Sequence, residues 1–279
     1  MDPYNPLYAE YTQGKFVDVE QTKNEQNQAY GAQNWYPALE GITAASYLLE
    51  LAPEDIQSFS NGECPQGFHF RRFVEYLILE GGYNFCKSSH KSAHAFKPIF
   101  DWTEFQEQML NASVVMSFRR YGCKYLLFRQ WQEMNLECRV YVYGRKIRYA
   151  EVYRDEKREF SSAMFPDMIA FVQNEVMPRL ATRYESFTAD VVYNANGSGW
   201  QVVEINSPCW LKCGTYNIDY AWNADRIHAT EQPICRYKDL DTGEVAELIV
   251  LSSKYSSTSS SSKQSCSTQD SSPSRHFTK

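Results

Sequence analysis

The segment Ser186–Pro208, SFTADVVYNANGSGWQVVEINSP, constrains this chain more than any other stretch. Two runs rich in β-branched and aromatic residues flank NANGSG, the pattern of a β-hairpin. A hairpin folded symmetrically about Gly197 sets Asp190 opposite Glu204, side chains on one face. Asn206, two residues on, points to that same face, and Val203 and Ile205 point to the other. One face is then apolar and packed, and the other carries two carboxylates and an amide. Like charges side by side are unfavourable unless a cation lies between them. Oxygen-only ligands suit a hard ion, Mg²⁺ first, which commonly arrives holding a nucleotide's phosphates. The plainer alternative is a solvated strand face. Register is the other open point. A tight turn at Asn196-Gly197 slips the pairing by one and sets Asp190 opposite Val203, unless a bulge restores the alignment.

The 279 residues suffice for one large domain or two smaller ones. With 20 Tyr, 16 Phe and 6 Trp, a well-packed globular body is expected rather than a disordered chain. A net charge of −6 argues against a broad nucleic-acid-binding surface. The opening MDPYNPLYAEY lacks a basic region and an apolar core, and no apolar run reaches the length of a membrane span. A soluble cytoplasmic monomer is the expectation. The 8 cysteines then read as free thiols. Cys209, Cys213, His228 and Cys235 match known zinc spacings poorly.

Along the chain, residues 1–33 are polar and without periodicity, and are expected to form an irregular arm. One α+β domain is expected over 34–251, with a smaller N-terminal lobe to about 123 and a C-terminal lobe after it. NWYPALEGITAASYLLEL reads as a turn and then a strand. APEDIQSF starts a helix at Pro53. FHFRRFVEYLILEGG places Phe70, Phe73, Val74, Leu77 and Ile78 at helical spacing before a glycine stop. A short strand around Lys87 follows, then a helix over WTEFQEQMLNA with Thr103 as its cap. KYLLFRQW, LECRVYVYG and RKIRYAEVYR read as strands, the last two joined at Gly144. PDMIAFVQNEVMPRLATR is an amphipathic helix despite Pro178. Past the hairpin, NIDYAWNADRIHA reads as helical and ICRYKDLDTGEVAELIV as a second hairpin around Thr242-Gly243. From Ser252 to Lys279 a Ser-rich composition points to a disordered tail.

There is no GxxxxGK[ST] loop and no GxGxxG fingerprint, so any nucleotide site is built from scattered side chains. Lys87, at the end of a strand, can reach phosphate oxygens as a mobile point charge, or stand as an exposed loop lysine. Arg139 shares a strand face with Tyr141 and Tyr143 while Cys138, Val140 and Val142 line the other. An arginine within a sheet takes a carboxylate or a phosphate as partner. At the polar exit of FRQW, backbone amides can meet an adenine edge with Trp131 beside it; core packing is the alternative for that tryptophan.

In order, lysine, strand exit, arginine and carboxylate-rich hairpin resemble ATP-grasp proteins. The resemblance narrows to the cell division cycle protein 123 family over about Asn34 to Tyr237. NWYPALEGITAASYLLEL resembles its Trp-Tyr-Pro and Gly-x-Thr-x-x-Ser opening, and GGYNFCKSS its Gly-Gly-x-x-Phe-Pro-Lys segment. LLFRQWQEMNLECRVYV resembles its Leu-Arg-x-Trp and Glu-Phe-Arg-Cys-Phe-Val, and ADVVY…WQVVEINSP its Asp-hydrophobic-Tyr and Asp-Phe-Asn-Pro. The resemblance implies two mixed or antiparallel sheets with flanking helices clamping a nucleotide cleft. It implies Lys87 as the phosphate lysine, Arg129, Gln130 and Trp131 as the adenine hinge, and Arg139 near the phosphates. Asp190, Glu204 and Asn206 are the implied magnesium ligands. The implied cofactors are ATP and Mg²⁺, and the implied role is assembly of eukaryotic translation initiation factor two through its gamma subunit. The chain departs from the family at Cys86 (proline there), at Glu204 (usually aspartate) and at Ser207, which separates Asn206 from Pro208. The basic position after the lysine is matched by either Lys91 or His94. The rival readings are an ATP-dependent ATP-grasp ligase and a scaffold that keeps the fold without ATP.

Overall fold

The computed structural model describes residues 28–90, 97–134, 136–155, 160–194, 199–207, 231–238 and 242–250. Residues 1–27 of the expected arm over 1–33, Lys91, His94, Cys209, Cys213, His228, the segment NIDYAWNADRIHA and the Ser-rich tail lie outside these residues, and the end of that expected arm is helical from Ala32. Two sheets organise them, one of three strands in the order β1-β3-β2 and one of six in the order β7-β6-β4-β5-β8-β9.

The small sheet consists of β1 (Ser46–Glu50), β2 (Phe85–Ser88) and β3 (Tyr125–Arg129), all antiparallel. It is covered by helices named here apart from α1 (Ala32–Leu39): α2 (Pro53–Asn61), α3 (Phe68–Leu79), α4 (Trp102–Met109) and α5 (Ala112–Arg119). Their apolar sides meet in a core of Phe59, Val74, Leu77, Phe105, Val114, Phe118, Leu126 and Phe128. Pro53 opens α2 as expected, since its missing N–H falls where the helix needs none. The cap of α4 is Asp101 and not Thr103, because the Asp101 carboxylate lies outside the first turn and accepts from the Glu104 N–H at 2.8 Å.

The large sheet comprises β4 (Leu136–Tyr143), β5 (Lys146–Asp155), β6 (Phe187–Asn194), β7 (Gly199–Asn206), β8 (Ile234–Lys238) and β9 (Val245–Ile249). Among the described strands of this sheet, only β5 and β8 pair in parallel. A two-residue turn joins β4 to β5, with Gly144 at φ 57° and Arg145 at φ 59°. Successive rungs of this sheet face opposite ways. One rung reads Ile205–Ala189–Val140–Ala150–Cys235–Leu248 across the strands. Its first five members belong to the large core with Met168, Ile169, Val172, Val176 and Leu180. The adjacent rung, on the other face, reads Glu204–Asp190–Arg139–Glu151–Arg236–Glu247. The sheet is thus apolar toward its helices and charged toward the cleft.

Those helices depart from expectation twice. Residues 34–39 form part of α1 and not a turn, because Ala32, Trp35, Tyr36 and Leu39 recur at helical spacing and bury against the large sheet. The expected helix over 166–183 is instead α6 (Met164–Phe171), a π-helical turn at Val172–Val176, and α7 (Met177–Leu180). The wider turn falls just before Pro178, which has no N–H for the regular ladder.

Candidate functional site

The alternation in β7 is interrupted by one residue. Trp200 and Val202 are buried toward the core, and so is Ile205, three positions further on. Two inward residues three apart demand a bulge. Near the turn the ladder pairs Val191 with Val202, and beyond it Asp190 with Glu204, which leaves Val203 as the extra residue. The slipped register of a tight turn therefore holds from Asn194–Gly199 to Val191–Val202, and the bulge restores the Asp190–Glu204 pairing beyond it. Asp190 and Glu204 do share a face, with the symmetry about Gly197 replaced by this two-part register.

Around that pair the side chains saturate one another. Arg139 lies directly opposite Asp190 in β4 and donates from Nε to Oδ1 at 2.7 Å and from Nη2 to Oδ2 at 3.1 Å. Asn206 Nδ2 donates to Asp190 Oδ2 at 3.1 Å and to Glu204 Oε2 at 3.4 Å. Two carboxylates thus converge on a single donor. Lys87, from β2 of the other sheet, forms an ion pair with Glu204 Oε1 and so spans the cleft.

Arg129, the last residue of β3, is buried and also crosses between sheets. Its Nε donates to Ser46 Oγ at 2.9 Å and its Nη1 to the Val203 carbonyl at 2.9 Å. Burial pulls its guanidinium down to about 10, against the attraction of Glu204. The chain then runs out through Gln130 and Trp131 as one wall of a cleft. Ala44, Phe85, Arg129, Gln132 and Met134 line it on this side, and Val192, Gln201, Val202 and Val203 close it from β6 and β7. The backbone amides expected to meet an adenine edge are engaged within the protein, Gln130 N–H on Ala45 O at 3.4 Å and Trp131 N–H on Asn84 Oδ1 at 2.7 Å. The Trp131 ring lies 6.0 Å from that of Phe85.

Of the eight expected site residues, Arg129, Gln130 and Trp131 line the cleft, and Lys87, Arg139, Asp190, Glu204 and Asn206 form a bonded cluster that does not line it; Arg129, through the Val203 carbonyl, stands between the two. One member was not foreseen. Glu137, 8% exposed, stands two residues before Arg139 on the same face and pairs with Val192, a residue of the cleft wall. Burial chiefly, then the charges of Asp190 and Glu204, push its carboxyl up to about 7, against Arg139 and Arg154. The period-two spacing from Glu137 to Arg139 was available in the sequence, but nothing local shows that both strand faces are buried.

Two sheets of unequal size with helices packed on them and a cleft between the exit of β3 and strands β6 and β7 make this an α+β, ATP-grasp-like fold. No protein-family model matches the chain, and no curated protein matches its sequence. Solved structures do match. Cdc123 from Schizosaccharomyces pombe aligns with a TM-score of 0.58 at 14% identity, over 76% of this chain and 96% of that one. A C-terminally truncated form of the same protein aligns with a TM-score of 0.56 at 13% identity, with the same coverage. A RimK-domain ATP-grasp protein of Sphaerobacter thermophilus gives a TM-score of 0.43 at 15% identity, over 74% of this chain and 66% of that one. At such identities the likeness is one of fold.

Proposed function

We propose that this chain binds ATP with Mg²⁺ in the cleft between its sheets. The carrying observation is the convergence of Asp190 and Glu204 on one donor, Asn206 Nδ2, directly across from Lys87. The donor set fits the ion: two carboxylates, and an amide whose oxygen replaces its nitrogen when the group turns over. Asp190, Glu204 and Asn206 would hold Mg²⁺, which supplies charge neutralisation at the phosphates when bound. Lys87, released from Glu204, and Arg139 supply the remaining positive charge. The base would enter the cleft beside Gln130, Trp131 and Val192, and Glu137, level with Val192 on β4, would add a carboxyl near it.

The ATP-grasp-like fold and the likeness to Cdc123 support a nucleotide-dependent activity of the ATP-grasp class. Within that class we favour an assembly factor for translation initiation factor two, working through the gamma subunit, as the motif resemblance implies. A ligase that joins an acceptor through a phosphorylated intermediate is the second reading. Thermal unfolding tests the common part: ATP should raise the melting temperature only with Mg²⁺ present, and Lys87→Met should abolish the rise. Equal stabilisation with and without Mg²⁺ contradicts the metal assignment. Capture of the gamma subunit by the full chain supports the assembly role, and ADP formation that depends on an added acceptor supports the ligase.

A further inference from the structure

Removal of Val203 from β7 leaves Trp-Gln-Val-Glu-Ile-Asn, a strand of strict alternation in which Glu204 still points to the cleft. The extra residue is therefore not needed to choose the face of Glu204. What it does is turn the Val203 carbonyl toward the small sheet, where Arg129 Nη1 takes it at 2.9 Å. Arg129 is held from its other end by Ser46 Oγ, which itself donates to the Ala44 carbonyl at 2.8 Å. The peptide next to Glu204 is thus tied through one guanidinium to β1 and β3 of the opposite sheet, and the same guanidinium attracts the Glu204 carboxylate. A buried arginine with two fixed acceptors is preorganised in a way a lysine is not.

We propose that Arg129 is a positioning residue for Glu204: through the bulged Val203 carbonyl it fixes where that carboxylate meets the cation. This rests on the Mg-nucleotide reading above. It assigns Arg129 a task different from that of Gln130 and Trp131, its neighbours at the strand exit.

The test is calorimetric titration of the full chain with ATP, once with Mg²⁺ and once with EDTA, for wild type, Arg129→Lys, a Val203 deletion, Glu204→Ala and Arg129→Lys/Glu204→Ala. The ratio of the two affinities reads the metal site alone. Arg129→Lys and the deletion should each cut that ratio about tenfold, a loss specific to the metal-loaded nucleotide. In the Glu204→Ala background Arg129→Lys should add nothing, since coupled residues do not contribute independently. Amide exchange around the bulge should speed up at least tenfold in Arg129→Lys, an outcome that needs no ligand. Equal losses with and without Mg²⁺ would make Arg129 a nucleotide contact and overturn the proposal, as would multiplicative effects in the double variant. A wild type that binds ATP equally with and without Mg²⁺ removes the metal reading itself, and this inference with it.

Discussion

Arg139 and Asp190 are each less than a tenth exposed, with side-chain exposures of 5% and 4%, so their pairing is decided by desolvation more than by attraction. Loss of one partner strands the other charge out of water. Asp190→Ala should lower unfolding free energy by about 3–5 kcal/mol, measured by urea denaturation, and Arg139→Met in that background should recover part of it. A loss near zero would mean the pair is hydrated. Glu137 gives a pH signature. Its carboxyl ionises near 7 in the folded chain, above its ordinary 4.5, so between those values the native state holds more protons than the unfolded one. The sign follows: stability falls as pH rises through this window, by an amount on the order of 2–3 kcal/mol. Glu137→Gln should remove that slope, making the variant the more stable form at pH 8. Equal slopes from pH 4.5 to 8 in both proteins would contradict the assignment.

At the scale of elements, α1 shows what the sequence conceals. Its four inward residues have helical spacing, yet Pro37 and the aromatic pair Trp35-Tyr36 read locally as a turn. Packing on the large sheet outweighs that local preference. Trp35, 1% exposed, should therefore matter to a sheet whose first strand begins 101 residues later, at Leu136 (136 − 35). Trp35→Ala is expected to cost about 3–5 kcal/mol by denaturant unfolding, against about 1 kcal/mol for Asp101→Ala at the cap of α4. Comparable small losses would mean that α1 only rests on the surface. The strands were legible because period-two patterns and the Gly144 and Gly243 turns mark them directly. The bulge at Val203 was legible only as an alternative, since hydrophobic spacing of two and then three becomes decisive once both core residues are known to be buried. Glu137 was not legible as a site residue at all: its position depends on the β4–β6 register, a contact 55 residues apart in the chain (192 − 137).

Over the whole molecule, the two sheets are tied at the cleft by the Lys87–Glu204 ion pair and by Arg129, so the cluster that would hold the nucleotide also joins the halves of the fold. Among the described residues no helix is long and apolar enough to cross a membrane, and no group of three or more His, Cys, Asp and Glu residues gathers as a metal site would require. Cys235, the one described member of the zinc spacing, is buried in the large core. The fold is shared with Cdc123, but fold alone does not carry chemistry. The central claim is that Asp190 and Glu204 face each other to hold Mg²⁺ with a nucleotide. Titration calorimetry of the full chain with Mg-ATP tests it most directly. Wild type should bind, Asp190→Asn and Glu204→Gln should each weaken binding at least tenfold, and neither should weaken binding of metal-free ATP. Full Mg-ATP affinity in both variants would contradict the account.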